Sequence, residues 1–110
     1  MTSILDATLE QVNISKNICA AAKILKMSGL VAFPTETLYG LGADATNDDA
    51  VINVYKAKKR PIDKPLLVLI ENIDEARNYA TLNDSAEVLA NHFWPGPITL
   101  IFNQRRDSPL

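Results

Sequence analysis

The chain has 110 residues, a formal net charge of -2, 47% hydrophobic and 22% charged residues, which gives room for one small soluble domain with a single core. The slight acidic excess excludes a surface made wholly for nucleic acid or anionic membrane, and leaves a local basic patch open. One cysteine, Cys19, excludes an internal disulfide and an all-cysteine metal site and points to a reducing cytoplasm; its alanine neighbours predict a small buried hydrophobe.

The N-terminal stretch MTSILDATLEQ has acidic residues and no basic region ahead of a long apolar core, so neither export nor membrane spanning is expected. Ser15 is a fair N-cap for a first helix, whose apolar stripe Ile18, Ala21, Ala22 and Leu25 closes at Gly29. Leu30, Val31, Ala32 and Phe33 then make a buried-strand run into Pro34. Proline cannot donate to a ladder, so pairing should stop there and the backbone open. That exposes Thr35, Glu36 and Thr37 ahead of Gly40 and Gly42. Two readings of this stretch stay open: a binding lip, where glycine lets backbone approach a ligand, or a solvated loop with turn glycines.

Beyond the loop, Thr46 or Asn47 can cap a second helix with Asp48 and Asp49 in its first turn and Lys56, Lys58 and Lys59 in its last, complementing the dipole at both ends. Pro61 ends it. Leu66 to Ile70, LLVLI, is a continuous apolar run expected to form a strand covered on both faces. A short helix around Asp74 to Tyr79 follows. Asp84 with Glu87 can then form a capping box before the stripe Ala86, Leu89, Ala90 and Phe93, which Trp94 and Pro95 stop. Ile98 to Phe102, ITLIF, reads as a third strand.

The exit of the second helix, KAKKRPIDKP, is a second candidate site. Val51, Val54, Tyr55 and Lys58 fall at i, i+3, i+4 and i+7, which puts Lys58 on the buried stripe and turns Lys59 away from it. A lysine so placed wants an anion, Arg60 can hold two phosphate oxygens with its fork, and Lys64 adds a third charge. The alternative is that these cations only complement the dipole and keep the surface soluble. Gly40, Gly42 and Ala45 spell the dinucleotide pattern G-x-G-x-x-A with Asp63 downstream, but the glycines do not join a strand directly to a helix N-terminus. His92 is the only histidine, so no metal site is expected. No catalytic residue is assigned; Glu36 is the one carboxylate placed where general-base work is conceivable.

FPTETLYGLGADA, KAKKRPIDKPLLVLI and FWPGPITLIF resemble three successive signature blocks of the YrdC/Sua5 family, which includes the TsaC-type threonylcarbamoyl-AMP synthases. The resemblance runs from about Gly29 to Phe102 with the blocks in the family's order. It implies an α/β fold, a YrdC-like twisted mixed sheet with flanking helices, and a basic cavity. It also implies synthesis of threonylcarbamoyl-adenylate from L-threonine, bicarbonate and ATP, with Mg²⁺ accompanying the nucleotide, for the t6A modification of tRNA and its transfer machinery. Carried over, Thr35 takes the threonine-contacting position, and Lys58, Arg60 and Lys64 hold ATP phosphates, with Glu36, Thr37, Tyr39 and Gly40 lining the site.

Two departures accompany the match. Lys64 and Leu69 stand where many relatives have the asparagine and histidine of Asn-Pro-Leu-x-Val-His. The family's later Ala-Val-Arg strand and Ser-x-Asn loop are not among these residues, so residues 1–110 are expected to be the N-terminal part of a single, incomplete YrdC-like domain. Two other functions stay open: a non-catalytic module for double-stranded RNA or nucleotide, using the cluster from Lys56 to Lys64, and an inactive truncated fragment.

Overall fold

The computed structural model describes residues 11–110, and the reading of the N-terminal stretch before them lies outside it. Four helices and four short strands follow one another in mixed order. The chain divides between Pro65 and Leu66 into two compact units.

In the first unit, α1 spans Gln11–Lys26, so Ser15 is an exposed interior position and not the expected N-cap. The stripe is only partly covered. Ala21 and Leu25 are half-buried, whereas Ile18, Cys19 and Ala22 are exposed. The physical reason is reach: α1 packs on β1 (Val31–Pro34), and a strand of four residues, about 13 Å long, cannot cover a helix of about 24 Å. The helix ends in a Schellman closure, with Gly29 N donating to Ile24 O at 2.8 Å and Ser28 N to Leu25 O at 3.1 Å. Ser28, not Gly29, takes the left-handed conformation (φ 66°). Gly29 is required for space, because a Cβ there would stand 2.5 Å from Ile24 Cγ2.

β1 and β2 (Tyr39–Gly42) form an antiparallel hairpin in the register Val31↔Gly42, Ala32↔Leu41, Phe33↔Gly40 and Pro34↔Tyr39. The Phe33 ring lies across both glycines of β2: a Cβ on Gly42 would come within 2.7 Å of the ring and one on Gly40 within 3.3 Å. Gly42→Ala should therefore force the ring off its seat and lower stability by about 1 to 3 kcal/mol, read as a fall in the urea midpoint at constant m-value. An unchanged midpoint would mean the ring moves freely.

α2 spans Asp48–Lys58 and buries Ala50 and Val54, the unit's core among the described residues. Of the two expected caps it is Asn47 that works, accepting from Ala50 N at 3.0 Å through Oδ1 while its Nδ2 donates to Ser28 Oγ at 2.7 Å. One amide thus caps α2 and supports the left-handed end of α1. α2 ends before Pro61, because Lys59 turns left-handed (φ 51°).

The second unit holds α3 (Ile73–Ala76), β3 (Ala80–Thr81), α4 (Asp84–Phe93) and β4 (Asn103–Gln104), with Ala76 and Ala90 buried. β3 and β4 pair antiparallel. α4 is capped by Asn83, which accepts from Ala86 N at 2.8 Å. The expected box between Asp84 and Glu87 does not form, and Glu87 instead pairs with Arg77 at 2.8 Å. In the expected stripe, Leu89 and Phe93 stay 40% and 47% exposed. Trp94 stops the helix and donates Nε1–H to Ile98 O at 2.9 Å.

The two apolar runs, 66–70 and 98–102, form no ladder. Leu67 and Leu69 are 64% and 68% exposed, against the expectation of a strand covered on both faces, and Ile101 in the run read as a third strand is 97% exposed. Apolar side chains express a demand for burial; a ladder also needs a neighbouring strand to supply donors and acceptors, and among the described residues neither run has one. No helix of the described residues is long and apolar enough to cross a membrane.

Candidate functional site

Thr35 builds the hairpin lip. Its main-chain N–H donates to Leu38 O at 3.1 Å, its hydroxyl donates to the same carbonyl, and Oγ1 accepts from Thr37 N at 3.3 Å and Leu38 N at 3.2 Å. One donor and two lone pairs are all a hydroxyl has, so this side chain is fully committed to the turn. Pairing does end at Pro34, but the backbone beyond it closes around Thr35 where an opening was expected. Glu36, Thr37 and Leu38 then stand exposed on the loop and Tyr39 at the start of β2, Leu38 and Tyr39 at 79% each. Gly40 and Gly42 make room for the Phe33 ring.

Between hairpin and helix, Asp44 Oδ1 accepts from Thr46 N at 2.9 Å and from Thr46 Oγ1 at 2.6 Å. The Thr46 hydroxyl, then its amide, hold the Asp44 carboxyl below the usual carboxylate range. Asp44 O also accepts from Asn47 N at 3.1 Å. This turn aims the cap of α2. Its signal in the sequence was Asp-x-Thr, a common side-chain-to-backbone turn.

At the α2 exit, Arg60 N donates to Tyr55 O at 2.9 Å and Lys59 N to Lys56 O at 3.2 Å, a second Schellman closure around a non-glycine residue. The Arg60 guanidinium is half-buried: Nη2 donates to Pro65 O at 3.0 Å, and Nε is buried without a partner. The Tyr55 hydroxyl donates to Lys64 O at 2.6 Å. Lys58 continues the Ala50–Val54 row but is exposed, as are Lys56, Lys59 and Lys64. The expectation of a buried-face lysine fails because the row runs past the last residue that covers it. None of these five cations makes an ion pair among the described residues. That leaves a concentrated positive field at the carbonyl end of a helix.

The sequence-predicted residues therefore gather in two groups of the first unit, Thr35 to Gly40 on the lip and Lys58, Arg60 and Lys64 at the exit. Among the described residues no hydrogen bond or ion pair joins the two groups. Asn47, which positions the cap, was marked in sequence as a helix-capping type, whereas Tyr55, which positions the exit, carries no chemistry that marks it there. The second unit has a cavity of about 310 Å³ between α4 and residues 100–103, and none of the predicted site residues lines it. His92 is exposed and meets Phe93 edge to face at 4.7 Å. Among the described residues no group of three or more His, Cys, Asp or Glu could hold a metal ion.

Residues 23–110 match the Sua5/YciO/YrdC family model, whose description reads Telomere recombination. The chain is 43% identical over 104 residues to threonylcarbamoyl-AMP synthase of Bacillus subtilis, covering 94% of this chain and 30% of that relative. To the Pyrococcus abyssi synthase it is 46% identical over 90 residues, covering 81% and 26%. A Klebsiella pneumoniae synthase is 31% identical, covering 86% and 52%. A solved variant of P. abyssi Sua5 superposes with a TM-score of 0.88 at 39% identity over 99% of this chain and 33% of that one. The crystal structure of P. abyssi Sua5 complexed with L-threonine gives 0.80 at 42%, over 86% and 28%. The chain thus spans between about a quarter and a half of the length of the relatives it matches. By family model, sequence and fold, it belongs to the Sua5/YciO/YrdC family.

Proposed function

We propose that this chain carries the lip and phosphate-gripping exit of a threonylcarbamoyl-AMP synthase, which makes threonylcarbamoyl-adenylate from L-threonine, bicarbonate and ATP for the t6A modification of tRNA. In this reading residues 1–110 are the N-terminal part of one domain, and the protein works in the cytoplasm. The carrying observation is its likeness, at 42% identity, to a structure complexed with L-threonine, supported by synthases at 43% and 46% identity.

The chemistry asks little covalent work of the protein. The threonine nitrogen bonds to the bicarbonate carbon and water leaves, giving a carbamate. A carbamate oxygen then bonds to the α-phosphorus of ATP while the bond to the β-phosphate oxygen breaks, and pyrophosphate departs with the electron pair. What such a transfer needs is alignment and neutralisation of spread negative charge. Lys58, Arg60 and Lys64 supply cations for the triphosphate, and their freedom from protein carboxylates leaves that charge unspent. ATP enters as its Mg²⁺ complex, the ion riding on substrate phosphates and water. Thr35 shapes the lip for the amino acid, with Glu36, Thr37, Tyr39 and Gly40 around it.

The test is pyrophosphate release by the protein with all substrates and with each omitted in turn. Release that needs both threonine and bicarbonate is expected. Release without threonine would overturn the reading. No release, together with salt-sensitive retention of double-stranded RNA, would put the same cations to work in a non-catalytic RNA-binding module.

A further inference from the structure

We propose that Tyr55 is a positioning residue for the phosphate site: its hydroxyl holds the loop after α2, and through that loop the Arg60 guanidinium, in one orientation. The inference rests on the synthase reading for the identity of the ligand, and on geometry for the rest. Three hydrogen bonds and one peptide unit close a circuit. The Tyr55 carbonyl accepts from Arg60 N at 2.9 Å, Arg60 Nη2 donates to Pro65 O at 3.0 Å, Pro65 follows Lys64 in the chain, and Lys64 O accepts from the Tyr55 hydroxyl at 2.6 Å. Lys64 N donating to Pro61 O at 3.1 Å folds the loop inside that circuit.

The circuit fixes Arg60 at both ends, its main chain by the Tyr55 carbonyl and its guanidinium by Pro65. An arginine is rich in rotamers, so an anion that had to order it would bind more weakly. Removing the Tyr55 hydroxyl opens the circuit at the one link that ties the Lys64–Pro65 carbonyls back to the helix. Arg60 then loses its reference point, and Lys64 loses its own anchor with it. Nη2 is the guanidinium nitrogen bonded to protein and Nε is buried, so Nη1 is the part of the fork that keeps its donors in hand. A second consequence follows from the half-buried ring of Tyr55. Phenylalanine keeps its packing, which makes Tyr55→Phe a clean cut of one link.

The experiment titrates ATP·Mg²⁺, and separately L-threonine, into the chain, Tyr55→Phe and Lys58→Ala. Amide hydrogen exchange over residues 60–65 is followed without ligand. Tyr55→Phe should speed exchange at the Arg60 and Lys64 amides and weaken ATP about tenfold, leaving threonine affinity unchanged and lowering the melting midpoint by about 2 to 8 °C, the worth of one hydrogen bond. Unchanged exchange overturns the proposal. So does unchanged ATP affinity in a protein where Lys58→Ala weakens ATP, and there the synthase reading survives. A parallel fall in threonine affinity, ATP affinity and midpoint would make Tyr55 merely structural. If the unaltered chain takes up no ATP, the synthase reading fails first and the proposal with it.

Discussion

If Lys58 and Arg60 grip the triphosphate as proposed, Arg60→Lys is expected to slow pyrophosphate release about a hundredfold by losing a forked contact, and Lys58→Ala to do the same by losing a charged one, since both would matter most as negative charge spreads in the transition state. Such contacts are worth roughly 3 kcal/mol. Arg60→Lys keeps the charge, and its ammonium can still reach a carbonyl such as that of Pro65, so the loss isolates the planar fork. If these residues only complement the helix dipole, either change should cost a few tenths of a kcal/mol of stability and leave the rate alone. The control is Lys59→Gly. Lys59 sits left-handed at the helix end, where glycine avoids about 1 kcal/mol of steric cost, so this variant should melt higher and turn over normally. Helical spacing, which first set Lys59 apart from Lys58, no longer applies to a residue outside the helix. A Lys59→Gly enzyme as slow as Lys58→Ala would show that the Lys59 charge serves the site as much as that of Lys58, and the grip as drawn, on Lys58 and Arg60, would be wrong.

Thr35→Val should raise the threonine KM by about tenfold to a hundredfold while the ATP KM stays near normal. Valine is nearly isosteric but gives up every hydrogen bond that Thr35 Oγ1 makes, leaving the Thr37 and Leu38 amides to find water while the Leu38 carbonyl keeps only the Thr35 main-chain N–H; such losses cost about 1 to 3 kcal/mol. The hydroxyl is fully occupied within the turn, so the substrate feels the change through the shape of the lip. Thr35→Ser keeps the hydroxyl and should stay close to the parent. Steady-state kinetics with threonine as the varied substrate decides. An unchanged KM in Thr35→Val removes the residue from the site.

Local chemistry was what the sequence could express. The strand into Pro34, the acidic start and basic end of α2, and its Asn47 cap all depend on a few neighbouring residues, and all are present. Where two neighbours competed, backbone conformation chose: Asn83 has the extended φ of -89° and ψ of 172° that a cap requires, and Asp84 is already helical. Burial was harder to read. Ile18 and Lys58 lie on apolar rows that run beyond the residues able to cover them, Cys19 is exposed despite its alanine neighbours, and the runs at 66–70 and 98–102 have the composition of strands without a ladder. Of the candidate site, the cations were legible as a run of like charge at a helix exit, but the buried position read for Lys58 was not there. The Tyr55 clasp was not, since a tyrosine on an amphipathic stripe looks the same whether or not its hydroxyl reaches a carbonyl.

The left-handed Lys59 has a consequence for protein engineering. Inside a regular helix two residues one apart are turned about 200° from each other, so Lys-Lys-Arg transplanted into a straight helix would send its first and third charges to opposite sides. Here the backbone reverses between them, and their mutual angle belongs to the reversal and to the loop clasped behind it. The three-letter string is therefore not portable. The smallest unit that could be grafted with its geometry intact runs from Tyr55 to Pro65, cap, clasp and all.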